Sequence, residues 1–269
     1  MKKVALRGSD LTVSRLGFGT ASMHHLARTI DRQRMLLQSY ECGLTHFDTS
    51  PLYGYGVAER ELGRAFRDKR DNITIATKFG LYPPGWTPGI VGVWGRKIIG
   101  KLVPGLNSVR CDWSLVAAER SLEASLRRLQ TDYIDLYLVH EPAFGSLEAD
   151  SLLEWLQIQL ERGRIRCWGM AGKTEAMKKL CLTGHGLSKV IQTEDSLYCR
   201  LSSWFDDSQQ SPQLTYGYFR TGSGKSPVCA SEVLAGAFRR NPSGAILVST
   251  RSRQRLAELA QIASQAEPS

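Results

Sequence analysis

Two hydrophobic patterns alternate along this chain. Short apolar runs rich in β-branched residues, such as ITIATK and YIDLYLVH, are followed by stretches whose apolar residues recur three and four positions apart, such as LVAAERSLEASLRRLQ. The first pattern is typical of buried strands and the second of helices with one apolar face. Their alternation predicts βα units around a parallel sheet. The eight predicted strands lie at 16–19, 44–48, 73–78, 133–140, 165–170, 189–193, 214–216 and 245–249.

Eight such units in 269 residues suit one barrel. A (β/α)8 barrel typically needs roughly 250 residues. We therefore predict the α/β class, a (β/α)8 TIM barrel, and a single domain over residues 1–269. The opening VALRGSDLTVS predicts an N-terminal β-hairpin with a Gly-Ser-Asp turn, placed over the floor of the barrel.

One connection is too rich in glycine and proline to be a regular βα crossover. It runs from residue 79 to about residue 111 and contains LYPPGWTPGIVGVWGRKIIGKLVPGLN. A long insertion after a barrel strand lies on the catalytic rim and usually shapes the substrate pocket. Trp86 and Trp94 are therefore predicted to wall that pocket. The alternative is that the insertion packs on its own aromatic side chains.

Composition narrows the classes of partner. The formal net charge is +9, but the basic residues are scattered, so neither nucleic acid nor a membrane is predicted to bind. No apolar run approaches the roughly 20 residues of a membrane span, and no signal peptide is predicted. The six cysteines form no C-x-x-C pair. We predict a cytoplasmic location and no metal, and the oligomeric state stays open.

Three predicted strands end in polar residues. Asp48 closes LTHFD, Lys78 closes ITIATK and His140 closes YIDLYLVH, while Tyr53 follows Asp48 by five positions. In neighbouring parallel strands these residues gather at one rim of the sheet, where a barrel enzyme keeps its chemistry. Together they can give a proton to a carbonyl oxygen while hydride arrives. Hydride itself must come from a nicotinamide, because no side chain supplies one.

The stretch GLTHFDTSPLYGYGVAERELGRA, with LGFGT before it and DYIDLYLVHEP after it, resembles the aldo-keto reductases. The resemblance implies that Asp48, Tyr53, Lys78 and His140 are the catalytic residues. Tyr53 is then the general acid and base, and we expect the nearby ammonium of Lys78 to lower its pKa from about 10. Asp48 holds Lys78, and His140 orients the substrate carbonyl.

The segment LGFGTAS does not predict a Rossmann domain, since Ser22 stands where the fingerprint needs a third glycine. The resemblance implies instead that rim loops hold the dinucleotide. The residues implied are Gly19, Thr20, Asp48, Gln192, Tyr216, Phe219, Ser249, Thr250, Arg251 and Arg255. Hydroxyls, helix amides and guanidinium groups suit a 2′-phosphate, so NADP(H) is favoured and NAD stays possible. Lys225, in TGSGKS, is predicted to contact the pyrophosphate.

The chain departs from the family pattern at several positions. Ala171 and Gly172 stand where the family commonly has Ser-Asn to bind the carboxamide. Ala21 and Glu141 stand where many members carry tryptophan, which predicts a more polar pocket. Glu141 fits a polyol or sugar substrate, and its HEP setting resembles the galactose-dehydrogenase-like branch of the family. The alternative is a carboxylate that pairs with a loop arginine.

We therefore predict an NADP(H)-dependent oxidoreductase that reduces aldehydes or ketones, or oxidises the corresponding sugars or alcohols. An alternative is a non-catalytic NADP(H)-binding regulatory or sensor subunit on the same barrel. A metal-dependent hydrolase using His24, His25 and Asp48 is disfavoured, because the two histidines are adjacent and lack a partner pair at a workable spacing.

Overall fold

The computed structural model describes residues 1–83, 109–143, 145–198, 202, 205, 210–220 and 229–266. Its strands, in chain order, are β1 Lys3–Ala5, β2 Thr12–Ser14, β3 Leu16–Gly19, β4 His46–Asp48, β5 Thr74–Phe79, β6 Leu81–Tyr82, β7 Arg110–Cys111, β8 Ile134–His140, β9 Ile165–Ala171, β10 Ile191–Glu194, β11 Leu214–Tyr216 and β12 Ala245–Val248. Eight of them, β3, β4, β5 and β8 to β12, close into a parallel barrel. The predicted TIM barrel is confirmed, and each predicted strand overlaps one of the eight barrel strands.

Helices follow the barrel strands and cover the outside of the barrel. They are α1 Thr29–Glu41, α2 Val57–Ala65, α3 Leu115–Leu129, α4 Ala149–Glu161, α5 Glu175–Leu182, α6 Ala230–Arg240 and α7 Arg253–Gln265. Side-chain oxygens of Ser114, Thr174 and Ser252 cap the first turns of α3, α5 and α7. None of the described helices combines the length and apolar character that a bilayer crossing requires.

The N-terminal hairpin closes one end of the barrel. Strands β1 and β2 pair antiparallel, with Lys3 opposite Ser14. Leu6 and Val13 are fully buried and pack in the same cluster as Leu136 and Leu138 from the barrel interior. This end carries the amino termini of the strands, and we call it the floor. The predicted position of the hairpin is confirmed.

The opposite end, which we call the rim, carries the carboxyl ends of the strands. Parallel register places Gly19 beside Asp48 and His140 beside Ala171, while Lys78 pairs with Leu138 two residues before the end of β8. Polar residues at these strand ends therefore share one edge. Strands β6 and β7 form an antiparallel pair at the base of the insertion. Residues 84–108, and with them Trp86 and Trp94, lie outside the described residues.

Candidate active site

A buried ion pair stands at the rim between β4 and β5. Nζ of Lys78 donates to Oδ1 of Asp48 at 2.5 Å and to the carbonyl oxygen of Thr49 at 2.9 Å. Lys78 is 1% exposed and Asp48 is 3% exposed. Burial lowers the pKa of Lys78, whereas Asp48 acts to raise it. A buried charge of this kind needs its partner, so the ammonium is fixed in place.

Tyr53 lies on the loop that leads from β4 to α2. Nζ of Lys78 is 5.1 Å from the centroid of the phenol ring. Burial, followed by the negative charge of Asp48, raises the pKa of Tyr53 well above 10. The expectation that Lys78 lowers this pKa is therefore wrong for the free protein. Desolvation of the phenolate and the charge of Asp48 outweigh Arg220, the cation that acts to lower this pKa.

His140 completes the group from the end of β8. Its ring lies edge-on to the ring of Tyr53, with centroids 6.4 Å apart and planes at 89°. Burial, and then the charge of Lys78, lowers the pKa of His140 to about 3, so the imidazole is neutral near pH 7. Its Nδ1 is buried and unpartnered in the described structure. Indole Nε1 of Trp113 donates to the His140 carbonyl at 2.9 Å and supports the end of the strand.

A cavity of about 420 Å³ opens over these residues. It contacts nine of the residues implied by the sequence: Gly19, Asp48, Tyr53, Lys78, His140, Gln192, Tyr216, Phe219 and Ser249. Thr20 lies behind the cavity wall, fully buried, and its hydroxyl donates to the carbonyl of Asp48 at 3.0 Å. The four predicted catalytic residues and part of the predicted cofactor-binding set therefore line the same cavity.

Gln192 provides a test of whether a nicotinamide fits. It lies on β10, is 2% exposed, and lines the cavity. Its Oε1 has no hydrogen-bond partner among the described residues. A buried acceptor left unpaired is unfavourable, and an amide N–H donor would satisfy it. The carboxamide of a nicotinamide is such a donor, so the residues present fit the group.

The residues implied for the adenosine phosphate lie around the start of α7. The hydroxyls of Ser249 and Ser22 are 2.8 Å apart, and Oγ1 of Thr250 accepts from the backbone of Ser252 at 3.1 Å. Arg251 is exposed. The guanidinium of Arg255 lies 5.5 Å from the ring centroid of Phe219, which lines the cavity. Arg255 also pairs with Glu258 at 3.0 Å.

Lys225 and the rest of TGSGKS lie outside the described residues. Its predicted pyrophosphate contact stays a prediction. The described residues contain no group of three or more His, Cys, Asp or Glu side chains placed to hold a metal ion.

Glu141 and Gly172 form a matched pair beside the cavity. Glu141 has φ of +45°, which is strained for a residue with a side chain. Its Oε2 accepts from the backbone nitrogen of Lys173 at 3.0 Å. A Cβ on Gly172, at φ of +145°, would meet this carboxylate at 2.4 Å. Glycine is needed there because the Glu141 side chain fills the space. Glu141 itself does not line the described cavity wall.

Glu194 is a polar residue at the rim that the sequence analysis did not include among the candidate site residues. Glu194, the last residue of β10, binds Arg220 through Oε1 and Nζ of Lys173 through Oε2 at 2.9 Å. Burial acts to raise the pKa of Glu194, but the two cations hold it below its ordinary value. Arg220 lines the cavity. The signal available was similar to that of Asp48: Glu194 is a carboxylate that directly follows the predicted strand at 189–193.

Comparison with known proteins agrees with the barrel fold. The sequence model of the aldo/keto reductase family matches residues 15–241. The chain therefore belongs to the aldo/keto reductase family.

Two curated relatives illustrate the range of the family. The NADH-specific methylglyoxal reductase of Escherichia coli is 31% identical over 183 residues, covering 64% of this chain and 52% of the relative. The L-galactose dehydrogenase of Arabidopsis thaliana is 28% identical over 183 residues, covering 64% of this chain and 50% of the relative. The chain spans about half the length of the curated relatives it matches.

Solved structures share the barrel. An aldo-keto reductase from Bacillus halodurans in its holo form superposes with a TM-score of 0.77 at 23% identity, covering 100% of this chain and 92% of that chain. An aldo-keto reductase from Klebsiella pneumoniae in complex with NADPH gives a TM-score of 0.69 at 21% identity, with coverage of 100% and 92%. At this identity the likeness concerns the fold.

Proposed function

We propose that this chain is a single-domain, NADP(H)-dependent oxidoreductase that interconverts a small aldehyde or ketone and the corresponding alcohol or sugar. One observation carries the proposal: a phenol, a neutral imidazole and a buried ammonium–carboxylate pair line the same cavity. A relative named as a methylglyoxal reductase and another named as an L-galactose dehydrogenase support carbonyl–alcohol chemistry.

Tyr53 is the proposed proton donor to the carbonyl oxygen. Its raised pKa keeps the phenol protonated near neutral pH, which is the state that reduction requires. Once the proton has left, a negative charge remains on the phenolate oxygen. The ammonium of Lys78 lies on the same side of the cavity and stabilises that charge. Asp48 keeps the ammonium charged and oriented.

His140 is proposed to orient the substrate. A neutral imidazole carries one N–H donor, and the depressed pKa of His140 keeps it neutral throughout the physiological range. With a donor on each side, from Tyr53 and from His140, the carbonyl oxygen is held in one place. In alcohol oxidation the same two groups receive and position the hydroxyl.

A bound nicotinamide would supply hydride to the carbonyl carbon, or accept it from the alcohol. Gln192 is proposed to accept a hydrogen bond from its carboxamide, and Tyr216 to stack on its ring. Ser249, Thr250, Arg251 and Arg255 are proposed to bind the 2′-phosphate, which favours NADP(H) over NAD(H). The relative named as NADH-specific makes this preference a point for direct measurement.

Glu141 is proposed to set the preference for hydroxylated substrates. Only one of its oxygens accepts a described hydrogen bond, so the other is available to a sugar or polyol hydroxyl near the rim. Exchange of Glu141 for Gln should raise the KM for a sugar while leaving the KM for methylglyoxal nearly unchanged. Equal effects on both substrates would remove Glu141 from this role.

The experiment that tests the function is a two-way turnover screen with the purified chain. Reduced cofactor is followed by its absorbance with a panel of aldehydes and ketones that includes methylglyoxal, and oxidised cofactor with sugars that include L-galactose. Turnover with NADPH, at a higher kcat/KM than with NADH, is the expected result. Tight NADPH binding with no turnover on any substrate would contradict the proposal and favour a sensor.

A further inference from the structure

A second cavity, of about 360 Å³, lies between α2 and α3 outside the barrel wall. It shares no described lining residue with the cavity over Tyr53. Its volume is within the range of small-molecule sites, about 300 to 1,000 Å³. Four arginines line it: Arg60 from α2, Arg110 from β7, and Arg120 and Arg128 from α3.

The described carboxylates offset these cations only in part: Asp112 interacts with Arg110 and Arg120, and Glu59 and Glu61 interact with Arg60. Asp112 is the one acidic residue in the described lining, and its Oδ1 already accepts from the nitrogen and hydroxyl of Ser114. Glu59 lies behind the wall, where it accepts from Nε of Arg128 at 2.6 Å and from the hydroxyl of Thr77. Within the described part of the chain, the other three arginines of the cavity form no ion pair.

Arg60 shows most clearly that a partner is missing. Its Nη2 is buried and has no hydrogen-bond partner among the described residues. Burial, and then the charges of Arg128 and Arg64, lower the pKa of Arg60, while Glu59 and Glu61 act to raise it. A Cβ on Gly56, at φ of +78°, would lie 3.0 Å from Nε of Arg128 and 3.5 Å from Nη1 of Arg60. Two guanidinium groups therefore converge on one glycine.

The sequence that follows the cavity-wall residue Pro83 contains no acidic residue up to position 108. Residues 84–108, which follow Pro83 of the cavity wall, contain Arg96, Lys97 and Lys101 and no aspartate or glutamate. This stretch therefore adds positive charge and no carboxylate. Guanidinium forks bind carboxylate and phosphate oxygens through paired, charge-assisted hydrogen bonds.

We propose that the cavity between α2 and α3 binds a small oxyanionic molecule, a phosphate ester or a polycarboxylate, through Arg60, Arg120 and Arg128. The ligand supplies the acceptor that Nη2 of Arg60 lacks. Arg110, at the mouth of the cavity, adds attraction without a fixed contact. The site is separate from the residues proposed to bind the cofactor phosphate, and its occupation does not depend on turnover.

Calorimetric titration with inorganic phosphate and with citrate, each against sodium chloride of equal ionic strength, tests the proposal. We expect binding to the unaltered chain and a loss of about tenfold or more in affinity in Arg60→Gln and in Arg120→Gln, since each removes a charge-assisted hydrogen bond. Arg120 is exposed on α3, so its replacement leaves the fold intact. Arg128 is left in place because Glu59 needs it.

Arg127→Gln is the matched control on the same helix. Arg127 is 71% exposed, lies next to Arg128 in sequence, and pairs with Glu123 outside the cavity. Arg255→Gln weakens binding at the proposed cofactor site, so the binding event that it leaves unchanged is assigned to the cavity between α2 and α3. An unchanged affinity for that event in both variants supports the proposal, and the tighter of the two probes identifies the oxyanion.

Three results would overturn the proposal. The first is binding no stronger than that of chloride. The second is an equal loss of affinity in Arg127→Gln, which would mean that net charge alone is responsible. The third is a loss in Arg255→Gln with none in Arg60→Gln. Because the readout is binding, none of these results bears on whether the rim residues turn over a carbonyl substrate.

Discussion

Two buried ion pairs stand at opposite ends of the barrel. On the floor, Asp135 at the start of β8 is fully buried, and its two oxygens accept from Nη2 of Arg70 at 2.6 Å and Nη1 of Arg166 at 3.0 Å. The backbone nitrogen of Ile75 donates to it as well, at 2.9 Å. On the rim, Asp48 is paired with Lys78.

The difference lies in what surrounds each pair. Around Asp135 the donors and acceptors satisfy one another, and both arginines also stack on the ring of Tyr133, each 4.0 Å from its centroid. Around Asp48 and Lys78, Nδ1 of His140 and Oε1 of Gln192 are buried and have no partner in the part of the chain that the structure describes. Complete satisfaction stabilises a fold, whereas unpaired polar atoms facing a cavity are available to a ligand. The floor pair is structural and the rim pair belongs to the candidate site.

The substitution Lys78→Met should have the largest effect and tests whether the rim ion pair serves catalysis. It removes the charge proposed to stabilise the phenolate, so turnover should fall by about 10³-fold, in the range of a lost preorganised electrostatic contact. Stability should fall as well, because Asp48 stays buried without its partner. Turnover is compared per folded molecule, with the folded fraction taken from circular dichroism. Wild-type turnover in the folded fraction would refute the role of Lys78.

The substitution Asp135→Asn tests whether the ion pair on the floor of the barrel contributes to stability alone. It leaves Arg70 and Arg166 beside a neutral amide, and breaking a buried pair destabilises by about 3 kcal/mol or more. The free energy of unfolding, measured with urea, should fall by that amount. In contrast to the rim variant, kcat per folded molecule should be unchanged. A loss of kcat would show that the two ends are coupled.

Arg255→Gln tests whether a rim cation serves a ligand and not the fold. Its pair with Glu258 is partly exposed, with side chains 37% and 49% accessible, so stability should change by less than about 1 kcal/mol. Loss of a charged hydrogen bond to a 2′-phosphate should weaken NADP⁺ binding by about 10-fold to 100-fold and leave NAD⁺ binding unchanged. Arg253→Gln, on the same helix, is the control. Equal weakening of both cofactors would argue against a 2′-phosphate contact.

His46, two residues before Asp48, links the stability of the fold to pH and has no predicted effect on turnover. It is fully buried, and burial followed by the charge of Lys78 lowers its pKa to about 3. The unfolded histidine binds its proton near pH 6.5, so the stability it contributes is complete above that pH and is lost as pH falls towards 3. The slope is about 1.4 kcal/mol per pH unit for this residue.

Urea unfolding between pH 4 and pH 7 measures this slope. The histidine at position 140, with a pKa also near 3, adds a slope of the same sign. His46→Gln should lower the slope by about 1.4 kcal/mol per pH unit below pH 6, whatever its effect on stability at pH 7. An unchanged slope would mean that His46 is protonated in the folded chain.

The fold was predictable because its rules are local. Apolar runs of strand length and helices with one apolar face recur in order, and parallel pairing brings strand ends together at one rim. Asp48, Lys78 and His140 could therefore be grouped before any coordinates were known. Glu194 carries a similar strand-end signal. It was missed because its meaning depends on Arg220, which reaches it from another strand's loop.

The raised pKa of Tyr53 could not be predicted from sequence. Proximity to Lys78 is visible in the motif, but the competing effects of desolvation and of Asp48 depend on how closely the loop packs in three dimensions. The left-handed backbone of Glu141, and the glycine that accommodates it, are likewise a matter of packing between β8 and β9.

The most direct test of the central claim is Tyr53→Phe, assayed for turnover and for cofactor binding. Tyr40→Phe is the matched control, since the Tyr40 ring packs on Phe66 and away from the rim cavity. The account predicts a fall in kcat of about 10²-fold to 10⁴-fold, the usual contribution of a general acid. Cofactor affinity should stay within about threefold, because the phenol acts on the substrate oxygen. An unchanged kcat in Tyr53→Phe would contradict it.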